Sequence, residues 1–220
     1  MKQKVLIGAD DLLLGGVQRL VIDQVRLLDR ERFDIHLVIL KRFPGRQTFG
    51  DLIPADVRVY QLSFSGFTDV RSWRAVINIL RTVRPDLVKT AMFFGNTIFL
   101  ALQPFFGYRA IPATNNSVLA KSWPKRFIDR MLFRRAATVI ADSKEVADFV
   151  SRSEGIPREC FTVVYNGADL TAVENARRTY LPERAAIRAS LGIPEDAVVM
   201  LSAARLVKQK NHQLAIEALG

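Results

Sequence analysis

The sequence predicts an α/β fold built on a doubly wound, mostly parallel β-sheet. Short apolar runs alternate with amphipathic segments along the 220 residues, and 49% of the residues are hydrophobic. Apolar runs of this kind are typical of buried parallel strands, and the segments between them have the period of helices that cover a sheet. A chain of this length can also bury a sizeable core.

Eight apolar runs are predicted to form strands. In order they are Lys4–Ala9, Asp34–Leu40, Val57–Leu62, Asp86–Met92, Ala110–Thr114, Ala137–Ala141, Phe161–Tyr165 and Ala197–Ala203. Helices are predicted where apolar residues recur at helical spacing. They are Val17–Asp29, Ser72–Arg84, Lys125–Arg135, Ser143–Arg152, Pro182–Leu191 and Asn211–Leu219. Strands that alternate with helices favour a parallel sheet with helices packed on its faces.

The stretch from Thr90 to Tyr108 has 19 residues without a formal charge, which is the length of a membrane-spanning helix. It also contains Asn96, Gln103 and Pro104, and polar interruptions of this kind are costly in lipid. We therefore expect a buried strand that leads into a buried helix.

Cysteine and histidine are rare in the sequence. Cys160 is the one cysteine, and the two histidines, His36 and His212, are far apart. A single cysteine excludes an internal disulfide framework, and a metal centre built on these residues is not expected. The formal net charge of +10 bears on the partners of the protein rather than on its fold.

The composition of the chain changes after Asn166. Residues 1–169 contain seven of the eight predicted strands and are interpreted as one domain, whereas residues 170–196 are rich in turn residues and are interpreted as a connector. Residues 197–220 contain one predicted strand and one predicted helix, which bury too little surface to form a domain. We therefore expect a second domain that is incomplete in this sequence.

A loop with two adjacent glycines, Gly15 and Gly16, lies between the first predicted strand and the first predicted helix. In an open α/β sheet, anionic ligands meet a helix N-terminus at such a loop, and glycine lets the backbone approach the ligand. The loop lacks the G-x-G-x-x-G pattern, so the dinucleotide-binding fingerprint is absent. A plain turn without a ligand is the alternative.

A basic loop with Arg205 and Lys210 follows the last predicted strand. Two cations at this spacing at the carboxyl end of a strand suit a diphosphate, because Arg offers a planar fork and Lys a point charge. The alternative is a basic loop that contacts only solvent.

The segment Lys121–Arg135 holds six basic residues and one acidic residue, Asp129, so half of the net charge lies here. Bulky apolar residues, Trp123 and Phe127 among them, are interleaved with the cations. A basic amphipathic helix of this kind can bind an anionic membrane surface. The alternative is a helix that packs its apolar side in the core and keeps its cations in water. No nucleic-acid-binding motif is present, so nucleic acid is not an expected partner.

Five segments, in order along the chain, resemble glycosyltransferase family 4, whose members are retaining enzymes with the GT-B fold. They are VLIGADDLLLGGVQRLVIDQVRLLD near the start, Thr138–Asp148, Val163–Asp169, Ala185–Pro194 and Leu201–Ala218. The last of these contains the pattern Arg-Leu-x-x-x-Lys, which resembles the donor motif of the family. The resemblance implies a Rossmann-like sheet that forms the N-terminal half of a GT-B fold, followed by a truncated donor-binding domain.

The resemblance also implies an activity. The complete enzyme would transfer a sugar from a nucleotide diphosphate-sugar to a glycan or lipid-linked acceptor with retention of the anomeric configuration. Arg205 and Lys210 would bind the diphosphate of the donor and stabilise its charge as it leaves. Gly15 and Gly16 would let the first loop approach the donor and the acceptor. No metal or other cofactor is expected.

The sequence departs from the family pattern at three places, and the mildest is Ala204, where the family usually has a glycine before Arg-Leu. The family often has histidines after the position of Asp86, and the stretch Lys89–Asn96 has none. Polar contacts on the acceptor side are therefore expected from Asn96, Asn115 and Asn116. The Glu-x₇-Glu donor motif of the family would lie beyond Gly220, so the 220 residues alone are expected to be inactive.

The resemblance and the basic segment together imply a location and a process. We expect a cytoplasmic protein that lies peripherally on the inner face of the cytoplasmic membrane and takes part in cell-envelope polysaccharide biosynthesis. Two alternatives stay open at this point. One is a non-catalytic, truncated binding or interaction module of the same fold, and the other is a small Rossmann-like nucleotide-binding protein.

Overall fold

A computed structural model describes residues 2–114, 122–204 and 206–219. Contacts within the chain divide it into two compact units, Met1–Asn166 and Gly167–Gly220. The first unit contains the whole sheet, and the second contains short helices joined by turns and extended segments.

The sheet has seven strands, and each neighbouring pair is parallel. The strands are β1 (Gln3–Ala9), β2 (Phe33–Ile39), β3 (Arg58–Gln61), β4 (Leu87–Ala91), β5 (Arg109–Thr114), β6 (Val139–Ala141) and β7 (Phe161–Val163). Their order across the sheet is β3-β2-β1-β4-β5-β6-β7. The chain therefore winds outwards from β1 to β3, returns to place β4 beside β1, and winds outwards in the other direction. The predicted fold class and seven of the predicted strands are confirmed.

Helices of the first unit cover both faces of the sheet. They are α1 (Gly16–Leu27), α2 (Val70–Val83), α3 (Phe93–Phe106), α4 (Trp123–Phe133) and α5 (Lys144–Glu154). The second unit contains α6 (Leu170–Tyr180), α7 (Arg184–Ser190) and α8 (His212–Glu217). Helix α1 buries Val21, Ile22 and Val25 in one apolar cluster with residues of β1 and β2. Helices α2, α3 and α5 contribute to the larger cluster on the other face, where Leu80 and Phe99 are buried.

Two helices of the first unit begin at residues that suit this position. The side chain of Asp69 accepts a hydrogen bond from the Ser72 N–H at the start of α2, and Ser143 does the same for Val146 at the start of α5. Such caps satisfy backbone N–H groups that have no partner within the helix. Helix α5 ends at Gly155, which has a φ of +68° and so adopts the left-handed conformation that favours glycine.

The uncharged stretch between Thr90 and Tyr108 folds as expected, into the end of β4 and the helix α3. Seven residues of α3 are buried, among them Ile98, Phe99 and Leu100, so this helix is apolar because it lies in the core. Within the described parts of the chain, every helix is too short or too polar to cross a lipid bilayer.

The prediction of a strand at Ala197–Ala203 is wrong, because these residues form no strand in the structure. A strand requires a neighbour that accepts and donates backbone hydrogen bonds, and none of the described residues pairs with this segment. Its apolar side chains are largely exposed, as Val198 (91%) and Leu201 (87%) show.

The sequence interpretation of residues 170–196 also missed the helix α6. This helix begins after Asp169, whose side chain accepts a hydrogen bond from the Ala172 N–H. None of its residues is buried, so burial of an apolar face does not explain why this segment is helical.

Gly8 is predicted to be essential for the packing of β1 against α3. A Cβ atom at this position would lie 2.6 Å from the ring of Phe99, and that ring is fully buried. We expect Gly8→Ala to lower the free energy of unfolding by about 1–3 kcal/mol, because a tightly packed core resists added volume. Chemical denaturation monitored by circular dichroism would measure the change.

Gly16→Ala is the matched control for Gly8→Ala. A Cβ atom at Gly16 would meet no other atom within 4 Å, and alanine favours the first turn of α1. We expect this variant to be as stable as the parent chain or slightly more stable. Equal stability of the two alanine variants would show that β1 and α3 are less closely packed than the structure indicates.

Candidate functional site

The winding of the sheet reverses between β1 and β4, and this places a crevice at the carboxyl ends of these two strands. In open α/β sheets, ligands bind in such a crevice. Here its walls are the loop that leads from β1 to α1 and the junction between β4 and α3. The structure therefore brings the predicted Gly15–Gly16 loop to the edge of the sheet at which ligands bind.

Asp10 fixes the position of α3 at this crevice. Its Oδ1 atom accepts a hydrogen bond of 2.6 Å from the Gly95 N–H, and its Oδ2 atom accepts one of 3.2 Å from the Phe94 N–H. Burial raises the pKa of Asp10 to about 6, and the two backbone hydrogen bonds oppose this rise. A carboxylate at the first turn of a helix also interacts favourably with the helix dipole. Asp10 therefore holds the first loop and α3 in a fixed relation.

Met92 connects β4 to α3 in a strained backbone conformation. Its φ of +73° and ψ of 160° lie in a region that residues other than glycine rarely adopt. Its sulfur accepts a 3.8 Å hydrogen bond from the Nε2 of Gln18, and the same amide donates a 2.9 Å hydrogen bond to the Oδ1 of Asp11. These contacts tie α1, the first loop and the β4–α3 junction together.

Gly15 and Gly16 stand at the N-terminus of α1. Gly15 precedes the first helical residue in an extended conformation, and no side chain caps this end of the helix. The space where a Cβ of Gly16 would lie is open. The backbone N–H groups of the first turn are therefore available to an anion, and the binding role of the two glycines stays a prediction.

The predicted acceptor-side residues fall partly outside the described residues. Asn115 and Asn116 lie in the stretch 115–121. Asn96 is buried, and its Oδ1 accepts a 2.7 Å hydrogen bond from Thr90 while its Nδ2 donates one of 3.0 Å to the carbonyl of Ala113. Its amide thus joins the carboxyl ends of β4 and β5, and contact with an acceptor stays a prediction.

The predicted diphosphate-binding residues belong to the second unit. Arg205 lies outside the described residues. Lys210 is exposed and ends a short 3₁₀ turn, Lys208–Lys210, shortly before α8. Asn211, which follows it, has a φ of +46°, so the chain turns sharply between Lys210 and the helix. The donor role of both residues stays a prediction.

No group of three or more histidine, cysteine, aspartate and glutamate side chains that could hold a metal ion occurs in residues 2–114, 122–204 and 206–219. That the protein requires no metal stays a prediction. It is based on the chemistry proposed below, in which cationic side chains stabilise the developing charge.

Lys89 lies on β4 between Ile7 of β1 and Ile111 of β5, and burial lowers its pKa to about 8. The unfolded chain keeps the Lys89 proton up to a pH of about 10.5, whereas the folded chain loses it above a pH of about 8. The free energy of unfolding therefore rises as the pH is raised from 8 to 10.5, and this group leaves it unchanged below pH 8. We expect Lys89→Met to stabilise the chain by about 2 kcal/mol at pH 7, because it removes a charge that folding desolvates.

Urea denaturation at a series of pH values would measure this effect. The parent chain should become more stable relative to Lys89→Met as the pH rises through the window given above. Lys144→Met, at an exposed position in the first turn of α5, serves as the control and should leave the pH profile unchanged. A Lys89→Met variant that is less stable than the parent at pH 7 would contradict the prediction.

The arrangement of a seven-stranded parallel sheet, helices on both faces and a crevice at the reversal point defines a Rossmann-like α/β protein. The sequence model of Glycosyltransferase Family 4 matches residues 14–172. The chain therefore belongs to glycosyltransferase family 4.

Solved structures agree with this fold. The Anabaena protein Alr3699/HepE in complex with UDP matches with a TM-score of 0.76 and 18% identity, over 99% of this chain and 57% of its own length. A glycosyltransferase from Rickettsia africae matches with a TM-score of 0.79 and 16% identity, over 99% and 57% of the two chains. Sucrose-phosphate synthase from Thermosynechococcus elongatus matches with a TM-score of 0.71 and 14% identity, over 99% and 59%.

The chain thus spans less than two thirds of the length of the proteins it resembles in structure. No curated protein is similar enough in sequence to count as a match.

Two features of the site are missed by the sequence analysis. They are the bonds from Asp10 to the start of α3 and the strained conformation of Met92. The acidic pair Asp10–Asp11 at the end of β1 was a visible signal for the first, because carboxylates are often found at helix N-termini. The second depends on contacts between distant parts of the chain.

Proposed function

We propose that the chain is the acceptor-side part of a retaining glycosyltransferase, which transfers a sugar from a nucleotide diphosphate-sugar to a hydroxyl of a glycan or lipid-linked acceptor. The match to glycosyltransferase family 4 over residues 14–172 carries this proposal. The crevice between β1 and β4, with the uncapped N-terminus of α1 at its edge, supports it.

The transfer breaks the bond between the anomeric carbon of the donor and an oxygen of the diphosphate. A new bond forms between that carbon and the acceptor oxygen on the same face of the sugar, and the acceptor proton leaves with the nucleoside diphosphate. Negative charge develops on the diphosphate during this step, and cations placed near it stabilise the transition state. Arg205 and Lys210 are proposed for this role.

The structure of the first unit supports a role in positioning the acceptor. Asp10 and Met92 fix the geometry at the crevice, and fixed geometry at a reacting centre lowers the entropic barrier of a two-substrate reaction. Gly15 and Gly16 leave the start of α1 open to a ligand. Asn96, Asn115 and Asn116 are proposed to face the acceptor side of this crevice.

A membrane-bound acceptor is proposed because of the outer surface of α4. Trp123, Phe127 and Met131 are exposed by 74%, 51% and 48%. They recur every four residues and therefore lie on one side of the helix. Basic side chains lie along the same helix, and their positive charge suits an anionic lipid surface. The proposed location is the cytoplasmic face of the membrane and the proposed process is cell-envelope polysaccharide biosynthesis.

A non-catalytic binding module is the second candidate. A binding module would keep the acceptor-side crevice and would not transfer sugar.

A transfer assay on two polypeptides tests the proposal. One is the 220-residue chain, and the other is the product of the complete reading frame. UDP-glucose is the first donor to assay, because a HepE structure contains it, and other UDP- and GDP-sugars follow. Released nucleoside diphosphate reports turnover, and the anomeric proton signals of the product report the configuration.

We expect turnover with retention by the complete product and none by residues 1–220 alone. The complete product should also lose turnover when its lipid or glycan acceptor is withheld. Absence of turnover with every donor would favour the binding module, and an inverted product would contradict the proposed mechanism.

A further inference from the structure

A cavity of about 270 Å³ lies beside the crevice, at the carboxyl ends of β1, β2 and β3. Its wall includes the first loop at Asp11 and Leu13, the segment that follows β2, and Gln61 at the end of β3. Its volume is near the lower end of the range for small-molecule sites, which suits one sugar-sized group.

Three cations line this cavity: Lys41, Arg42 and Arg46. Among the residues that the structure describes, no carboxylate forms an ion pair with any of them, and neither guanidinium donates a hydrogen bond. Three positive charges within six residues repel one another. Lys41 interacts electrostatically with Asp10, whereas Arg42 and Arg46 have no carboxylate partner among the described residues. An anionic ligand would compensate the repulsion.

The nearest acidic residues are already engaged elsewhere. Asp10 accepts the backbone N–H groups of α3, as described above. The Oδ1 of Asp11 accepts a 3.0 Å hydrogen bond from the Leu13 N–H and a 2.9 Å hydrogen bond from Gln18. Neither carboxylate forms an ion pair with Arg42 or Arg46, so these two guanidinium groups stay available to a ligand.

Backbone hydrogen bonds hold the cationic segment in place. The Lys41 N–H donates to the carbonyl of Asp10 at 2.8 Å, and the Phe49 N–H donates to the carbonyl of Leu12 at 2.9 Å. Leu13 and Thr48 form an antiparallel bridge between the same two loops. The cations are thus presented on a segment that is fixed at both ends.

Lys41 links the cavity to the crevice. Its Nζ atom lies 4.3 Å from the centre of the Phe94 ring, in the first turn of α3. A ligand that contacts Arg42 and Arg46 can therefore extend past Lys41 towards the crevice between β1 and β4.

We infer that this cavity binds an anionic group, a phosphate ester or a carboxylate, on the sugar of the acceptor. The inference rests on the proposed function, since it takes the donor diphosphate to be bound by the second unit. Arginine forks bind both kinds of oxyanion through paired hydrogen bonds. The acceptor is on this view an acidic or phosphorylated sugar rather than a neutral one.

Calorimetric titration of the 220-residue chain at low salt tests the inference without any donor. The probes are glucose 6-phosphate, glucuronate, glucose and inorganic phosphate. Arg42→Gln/Arg46→Gln is the test variant. Arg71→Gln/Arg74→Gln is the matched control, since it removes the same charge from exposed positions on α2.

We expect glucose 6-phosphate, glucuronate or both to bind more tightly than glucose and than inorganic phosphate. Which of the two binds shows whether the acceptor carries a phosphate or a carboxylate. The test variant should bind on the order of 30-fold more weakly, and the control should bind as the parent does. All variants should keep the parent melting temperature, because all four arginines are exposed.

Four results would overturn the inference: no binding of either acidic sugar, equal binding of glucose, equal binding of inorganic phosphate, or equal losses in the test and control variants. A protein that binds acidic sugars in this cavity and transfers no sugar would contradict the proposed function alone. A protein that transfers sugar and binds no acidic sugar would contradict this inference alone.

Discussion

Replacing Lys210 with alanine in the product of the complete reading frame is expected to lower kcat about 100-fold. Lys210 is proposed to contact the diphosphate as it takes up negative charge, and that charge is greatest in the transition state. The loss should therefore be larger in kcat than in the KM for the donor, because the interaction strengthens as the reaction proceeds. Steady-state rates at saturating acceptor would give both constants.

Lys208→Ala provides the control for this variant. Lys208 and Lys210 begin and end the same 3₁₀ turn, so the two variants lose the same charge two positions apart. Only Lys210 matches the Arg-Leu-x-x-x-Lys pattern, and Lys208→Ala should keep a near-normal kcat. Normal turnover by Lys210→Ala, or equal losses in both variants, would show that the donor site lies elsewhere.

The sheet could be predicted from the sequence because its central strands are buried on both faces. Such strands appear as continuous apolar runs, and KVLIGA and DIHLVIL are two of them. The predicted helices α1 and α2 were recognisable for a related reason, since each has one apolar face against the sheet. In these segments the local pattern and the tertiary environment agree.

The segment Ala197–Ala203 shows where the same reasoning fails. Its apolar pattern matches that of the strands in the first unit, yet it forms no strand. A strand is completed by a neighbour, and sequence pattern does not report whether a neighbour is present. Helix α6 is the opposite case, because a helix can form from its own hydrogen bonds without a buried face.

The sequence predicted which loop lies at the site, and it did not predict the side-chain contacts within the site. Glycines after the first strand indicated where a ligand would approach, and the structure brings this loop to the point where the sheet reverses. The hydrogen bond between Asp10 and Gly95 joins residues 85 positions apart. Side-chain contacts over such distances depend on the strand order, which local patterns do not specify.

The outer surface of α4 leads to the second large expected effect. Trp123→Ser/Phe127→Ser should weaken binding of the 220-residue chain to anionic vesicles by about 100-fold, since each ring that enters the lipid boundary contributes on the order of 1.5 kcal/mol. The two rings are stacked, with centres 5.8 Å apart, and can enter the boundary together. Co-sedimentation with phosphatidylglycerol-containing vesicles would measure the binding.

The cations of α4 differ in what they contact. The guanidinium of Arg126 donates a hydrogen bond to the carbonyl of Ser153, and that of Arg130 lies 3.5 Å from the position of a Cβ at Gly155. These two arginines therefore also pack on the end of α5. Arg134 and Arg135 are exposed at the end of α4, and we expect each to contribute about 1 kcal/mol to binding an anionic surface, an effect that salt screens.

Controls for the vesicle experiment come from the same chain. Phe105→Ser removes an aromatic ring that is 80% exposed at the end of α3, and Arg71→Gln/Arg74→Gln removes two exposed cations from α2. Neither should change binding, whereas Arg134→Gln/Arg135→Gln should weaken it at low salt and less at high salt. Equal binding to neutral and anionic vesicles, or undiminished binding of the Trp123→Ser/Phe127→Ser variant, would contradict a membrane role for α4. The apolar stripe would then serve a protein contact, and the proposed acceptor would not need a membrane.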